Sequence, residues 1–151
     1  MKYFSKKVNK KILSVNELLV KIKSLRKNKK IAHCHGTFDI VHPGHLRHLA
    51  YSKQKSDILI ASITSDKHIT KSKEGPYVPE YLRAFNLASL EIVDFVVIDY
   101  NQTPLNLLSK LKPNYFVKGF EYKKNNIHLK TREEIKILSK FGGEILFSPG
   151  D

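Results

Sequence analysis

The chain has one cysteine, one methionine and no tryptophan among its 151 residues. A lone thiol, Cys34, excludes an internal disulfide framework and makes a reducing cytoplasm the expected setting. No apolar run approaches the roughly 20 residues needed to span a bilayer, so a membrane is not expected as a partner. The N-terminus has no signal-peptide core, because Lys6, Lys7, Lys10 and Lys11 interrupt it. Acids are scarce as well, 14 against 27 Lys and Arg, for a net charge of +13. That shortage is local: residues 1–30 hold eleven basic side chains and one acid, Glu17, whereas the other 121 hold sixteen and thirteen. A basic arm of this kind suits nucleic acid or anionic lipid. No aromatic-interleaved basic motif accompanies it, so a solvated, lysine-rich helix face is the preferred reading, and nucleic acid is not an expected partner.

What remains is an ordinary globular composition, 41% hydrophobic, and a length that suits one domain with a sizeable core. Residues 1–151 are therefore read as a single domain, with 1–28 as a basic N-terminal arm and helix. Ser14 and Glu17 form a capping-box pattern ahead of apolar Leu18, Leu19, Ile22 and Leu25, which predicts an amphipathic helix ending before Asn28. Short apolar runs at 31–35, 58–63, 94–99, 115–118 and 144–147 read as strands. Helices are predicted over 43–53 and 80–90, and from Thr103-Pro104 to just before Pro113. A last helix is capped by Thr131 and Glu134 and ends at Gly142-Gly143. The polar stretch 65–78 reads as a loop. Strands alternating with helices imply an α/β fold, a parallel sheet with helices on both faces and ligands at the carboxyl ends of its strands.

The densest chemistry lies at His35-Gly36-Thr37-Phe38-Asp39-Ile40-Val41-His42-Pro43-Gly44-His45. A strand ends in a glycine turn, and two histidines three residues apart sit where the next helix begins. A helix N-terminus offers unpaired N–H groups and the positive end of its dipole to an anion. Gly36 and Gly44 let backbone approach a ligand closely. His42 and His45, on neighbouring faces of the first turn, can aim ring nitrogens at one phosphoryl group. The backbone N–H groups of Thr37 and Phe38 would cradle phosphates, and Asp39 would organise the turn or orient a histidine. His48 continues the spacing and raises a zinc alternative, but no Cys pair or nearby carboxylate completes a tetrahedral set, so no metal ligands are assigned. His48 is read as helix surface or packing and His33 as structural. His35, beside the glycine turn, is a candidate for the pocket wall, with a structural role as its alternative.

Gly36-Thr37-Phe38-Asp39 with His42-x-Gly44-His45 resembles the signature of the cytidylyltransferase-like nucleotidyltransferases, and more closely that of the adenylyltransferase domains of heptose-phosphate enzymes that make ADP-heptose. The resemblance runs from about Lys11 to the end, through Ser65-Asp66, Arg83, Val93 to Val97 and Lys118-Gly119-Phe120-Glu121-Tyr122. It implies a Rossmann-like domain and a nucleotidyltransferase that transfers AMP or CMP from ATP or CTP to a sugar phosphate or polyol phosphate such as heptose 1-phosphate. His42 and His45 would act at the α-phosphate, with Mg²⁺ accompanying the triphosphate. By the same resemblance Lys71 or Lys73 would reach phosphates from the polar loop, and Arg83 would lie near them, a surface ion pair being its alternative. Lys118, Gly119 and Glu121 would contact the nucleotide, Glu121 standing where these enzymes carry Asp. Asp66 is placed to face the site, and Asp94 is read as a strand-start residue. A homodimer is compatible with the family.

The family continues past the last strand into a Ser/Thr-rich turn and a final helix that help hold the triphosphate. This chain stops at Ser148-Pro149-Gly150-Asp151 and is read as a fragment, or else as having an incomplete phosphate site. The alternatives to the main reading are a glycerol- or alditol-phosphate cytidylyltransferase and a catalytically weak nucleotide-binding domain.

Overall fold

Parallel pairing runs through a six-stranded sheet in the computed structural model, which describes residues 2–70, 73–123 and 129–150. The strands are β1 (Ile12–Leu13), β2 (Ile31–Gly36), β3 (Ile58–Thr64), β4 (Phe95–Asp99), β5 (Tyr115–Lys118) and β6 (Glu144–Phe147), in the order β1-β4-β3-β2-β5-β6. The helices between them are α1 (Lys2–Asn9), α2 (Val15–Leu25), α3 (Pro43–Gln54), α4 (Glu80–Ala88), α5 (Leu105–Leu111) and α6 (Leu129–Ser139). Two single 3₁₀ turns, Asp66–His68 and Phe120–Tyr122, follow β3 and β5. From β2 the chain winds outward through β3 and β4, then returns to place β5 on the other side of β2. The carboxyl ends of β2 and β5 thus form the switch point at which such sheets bind ligands.

The central strands are near-continuous apolar runs because both faces are covered. β3 is buried from Ile58 to Ile63. One face packs Ala61, Ile63 and Val96 against Leu49 of α3 and Ala84, Leu87 and Ala88 of α4. The other packs Ile60 and Val97 against Leu18 and Ile22 of α2 and Leu107 and Leu111 of α5. The α/β architecture with both faces covered is as expected, and element bounds agree within two residues for most elements. The capping box is present in full: Ser14 Oγ accepts from Glu17 N at 3.2 Å and Glu17 Oε2 accepts from Ser14 N at 2.8 Å.

Two expectations at helix starts fail. Pro104 occupies the N-cap of α5 without a side-chain bond, so Thr103 does not cap it. α6 already begins at Leu129, which makes Thr131 a buried interior residue, and Glu134 bonds elsewhere. The N-terminal segment is also more structured than an arm: α1 packs against α4, and β1 adds an edge strand to β4. Part of its basic charge is structural. Lys11 Nζ donates to Leu90 O at 3.0 Å and Val93 O at 2.8 Å, and Arg26 donates to the Leu111 and Lys112 carbonyls at the carboxyl end of α5. A cation there offsets the negative end of the helix dipole. No helix among the described residues is long and apolar enough to cross a membrane.

The burial of α2 predicts a sharp contrast between neighbouring positions. Ile22→Ala, at 1% exposure, should cost about 2–5 kcal/mol in urea denaturation. Val20→Ala, at 74% exposure, should stay within about 0.5 kcal/mol. Equal losses at the two sites would contradict this packing.

Candidate active site at the sheet switch point

A cleft of about 870 Å³ opens over the carboxyl ends of β2, β5 and β6. Its walls are the turn after β2 with the first turns of α3, residues 75–77 before α4, residues 119–122 after β5 and residues 148–150 after β6. Each wall is a strand-to-helix connection or a strand exit, so the sheet sets their spacing and the loops supply the chemistry.

The turn after β2 is tightly determined. Phe38 adopts the left-handed region, with φ of 48°, a conformation uncommon outside glycine and concentrated at functional turns. Its ring is 4% exposed and lies against Gly36, where a Cβ would come within 3.1 Å of it. His42 is the N-cap of α3, its Nδ1 accepting from Gly44 N at 3.2 Å. A Cβ on Gly44 would fall 2.9 Å from the His42 ring, so the glycine is what lets the ring fold back over the helix start. His42 then stacks on His45, ring centroids 3.8 Å apart and planes inclined by 28°. His45 in turn meets Phe38 at 5.0 Å. Since His42 Nδ1 is the acceptor, the neutral ring carries its proton on Nε2, the nitrogen left for a ligand. Burial holds His45 below the usual imidazole range, and the neighbouring His42 lowers it further, against the opposing pull of the Ile40 backbone and Glu121. His45 Nδ1 is buried with no hydrogen-bond partner.

Beneath the pair runs a second set of imidazoles. Ser62 Oγ lies 2.7 Å from both His33 Nε2 and His35 Nδ1, and His35 Nε2 lies 3.2 Å from Thr64 Oγ1. Burial pushes His33 down to about 3 and His35 to about 4. Two imidazoliums sharing one serine would repel each other in a low-dielectric setting. Both rings are therefore neutral at pH 7, and His35 contributes shape to the cleft wall it lines.

Of the residues singled out in the sequence, His35, Gly36, Thr37, Phe38, Asp39, His42, Gly44, His45, Gly119 and Glu121 line the cleft. Asp39 does so with both oxygens engaged, accepting from Tyr77 N at 2.9 Å and Val78 N at 2.8 Å. It ties the loop before α4 to the histidine turn. Arg83 is not at the cleft. It is fully buried, donating to Val78 O at 2.9 Å, Thr37 O at 2.7 Å, Thr64 O at 2.9 Å and Asp66 Oδ1 at 2.5 Å. Asp66, expected to face the site, is consumed by that pair and by Glu80 N at 3.2 Å. Lys118 is likewise drawn away, its Nζ 2.5 Å from Glu134 Oε2 in a nearly buried pair and 4.5 Å from the Tyr122 ring centre. Lys73 is not on the cleft wall, and Lys71 lies outside the described residues. Asp94 is structural as read, bonding Lys53 Nζ at 2.6 Å and Leu59 N at 2.7 Å.

Several wall residues lie outside the sequence reading of the site, Ile69 and residues 75–77 among them. His48, read as surface or packing, lines the cleft and meets Ser148 Oγ at 2.9 Å. Arg47 and residues 148–150 also line it. The signals were present: His48 is one turn on from His45, Arg47 one turn on from Gly44, and Ser148 leaves the carboxyl end of a strand. Among the described residues no group of three or more His, Cys, Asp or Glu could hold a metal.

Two outcomes follow from this geometry. Arg83→Met would strand three carbonyls and Asp66, so thermodynamic stability should fall by roughly 2–5 kcal/mol; full stability with lost ligand binding would instead make Arg83 a ligand contact. The buried histidines bind fewer protons folded than unfolded, so stability should fall as pH drops from 6.5 toward 4. Urea midpoints should decline already between pH 6.5 and 5, above the range where carboxylates titrate. His33→Gln, which cannot titrate, should flatten that slope.

The cytidylyltransferase-like family model matches residues 33–144. The chain is 47% identical over 116 residues to the bifunctional protein HldE of Campylobacter jejuni subsp. jejuni serotype O:2, covering 76% of this chain and 25% of that protein. To HldE of Helicobacter pylori strain J99 it is 42% identical over 114 residues, covering 74% and 24%. The chain thus spans about a quarter of the length of the curated relatives it matches. A lipopolysaccharide core biosynthesis protein from Thermoplasma volcanium shares the fold, with a TM-score of 0.68 at 22% identity over 80% of this chain and 97% of that one. So does pantoate-beta-alanine ligase from Francisella tularensis, with a TM-score of 0.65 at 18% identity over 93% and 67%. The family match spans the strand, glycine turn and paired histidines that build the cleft: this chain belongs to the cytidylyltransferase-like family.

Proposed function

We propose that the chain is a nucleotidyltransferase domain that transfers AMP from ATP to a sugar phosphate of the heptose 1-phosphate type, releasing pyrophosphate. The observation that carries this reading is the stacked His42–His45 pair at the N-terminus of α3, inside a cleft at the switch point of the sheet. The likeness to HldE supports the choice of ATP and of a heptose phosphate.

In the proposed reaction a phosphate oxygen of the acceptor attacks the α-phosphorus. The new oxygen–phosphorus bond forms as the bond from that phosphorus to the β-phosphate bridging oxygen breaks, and pyrophosphate departs with the electron pair. The acceptor phosphate is already anionic near neutral pH, so no general base is required. Catalysis rests on alignment and on donors aimed where charge develops. His42 would donate through Nε2–H, the nitrogen left over by its N-cap bond. His45, held against it, would offer a second ring nitrogen to the same phosphoryl group. The Thr37–Phe38 backbone, fixed by Arg83 at Thr37 O, would cradle the flanking phosphates.

Glu121 sits over Gly119 on the wall that follows β5. A carboxylate repels phosphate and accepts from hydroxyls, so it suits the nucleoside rather than the phosphate chain. Mg²⁺ would arrive with the triphosphate and be held mainly by its oxygens, in keeping with the lack of a ligand cluster among the described residues. Bound there, it would neutralise charge on the departing pyrophosphate.

The test is pyrophosphate release with Mg²⁺, crossing ATP and CTP against heptose 1-phosphate and glycerol 3-phosphate. Release should be fastest with ATP and heptose 1-phosphate. His42→Ala and His45→Ala should each lower turnover by about 10²–10³-fold, the scale of a lost transition-state donor, with melting temperatures close to that of the parent. Near-normal turnover in either variant would sink the histidine mechanism, and a chain that binds no nucleotide would sink the reading as a whole.

A further inference from the structure

A cleft for two phosphate-bearing substrates needs cationic charge, and three of the cations that the sequence pointed to, Arg83, Lys118 and Lys73, do not line it, while Lys71 lies outside the described residues. Arg83 is fully buried on three carbonyls and Asp66. Lys118 is bound to Glu134, and Lys73 is not on the wall. Of the lining histidines, burial lowers His35, His45 and His48. Against them stand two wall carboxylates, Asp39 and Glu121. Among the described residues that line the cleft, Arg47 is the only lysine or arginine. It is exposed and lies on α3 three residues beyond Gly44, on the same stripe of the helix as the start of the histidine turn. Its guanidinium presents a planar fork of N–H donors that matches two phosphate oxygens.

We propose that Arg47 is a substrate-binding residue that holds a terminal phosphoryl group in the cleft. The inference rests on the nucleotidyltransferase reading above. Two ligands carry that chemistry: the β- and γ-phosphates of the nucleotide, and the phosphate monoester of the acceptor. In either case the bond places a positive charge among the lining residues of α3, beside the histidine pair.

Calorimetric binding of MgATP, AMP and heptose 1-phosphate to the full chain distinguishes the sources. Arg47 is exposed on a helix surface, so Arg47→Gln and Arg47→Lys should both fold, which a cooperative melt of each variant checks. Arg47→Gln should weaken one of the phosphate ligands by tenfold or more, with Arg47→Lys in between, because an ammonium keeps the charge without the fork. Loss confined to MgATP, with AMP binding intact, assigns Arg47 to the triphosphate tail. Loss confined to heptose 1-phosphate assigns it to the acceptor. Unchanged affinity for all three in Arg47→Gln overturns the inference while leaving the nucleotidyltransferase reading standing. A parent chain that binds neither MgATP nor heptose 1-phosphate overturns both.

Discussion

A guanidinium taken wholly out of water is tolerable only if its N–H groups are met, and Arg83 meets them by gathering three separate loops. Its bonds reach Thr37 O in the histidine turn, Thr64 O at the end of β3 and Val78 O ahead of α4, with Asp66 supplying the counter-charge. Asp66 and Glu80 then exchange bonds from each other's backbone N–H groups, at 2.8 and 3.2 Å. Asp39 closes the circuit by holding Tyr77 and Val78 from the histidine turn itself. The left-handed Phe38 and the stack it supports persist because this scaffold over-determines them.

Neutrality is the second constraint on the site. The burial of His45 and of His35, the latter bridged by Ser62 to His33, favours uncharged imidazoles. Uncharged rings can stack at 3.8 Å; two imidazoliums so close would repel strongly. In the proposed reaction such rings would act as oriented hydrogen-bond donors, and positive charge would have to come from other groups, the N-terminus of α3 among them.

The basic N-terminus shows how charge counts mislead when read without contacts. Lys11 and Arg26 spend their cations on backbone carbonyls, one stapling β1 to the connection between α4 and β4, the other closing α5. The segment that carries most of the net charge is thereby an integral edge of the domain.

Local pattern alone determined the alternation of strands and helices, the capping box at Ser14 and the histidine turn, because these depend on residues within a few positions of one another. The same holds for Gly36 and Gly44, whose missing Cβ atoms make room for rings two residues away. Tertiary structure decided which cations face the cleft. Arg83, Lys118 and Arg47 are alike in charge, and only the fold buries the first, pairs the second with a glutamate from α6 and leaves the third on the wall. A polar side chain's role is set by the partners that reach it, and here they come from residues 5 to 46 positions away. The sheet's switch point, where β5 returns beside β2, likewise exists only once the strands have paired. Local spacing can pick out the histidine pair, but long-range pairing decides which cations stay on the wall beside it.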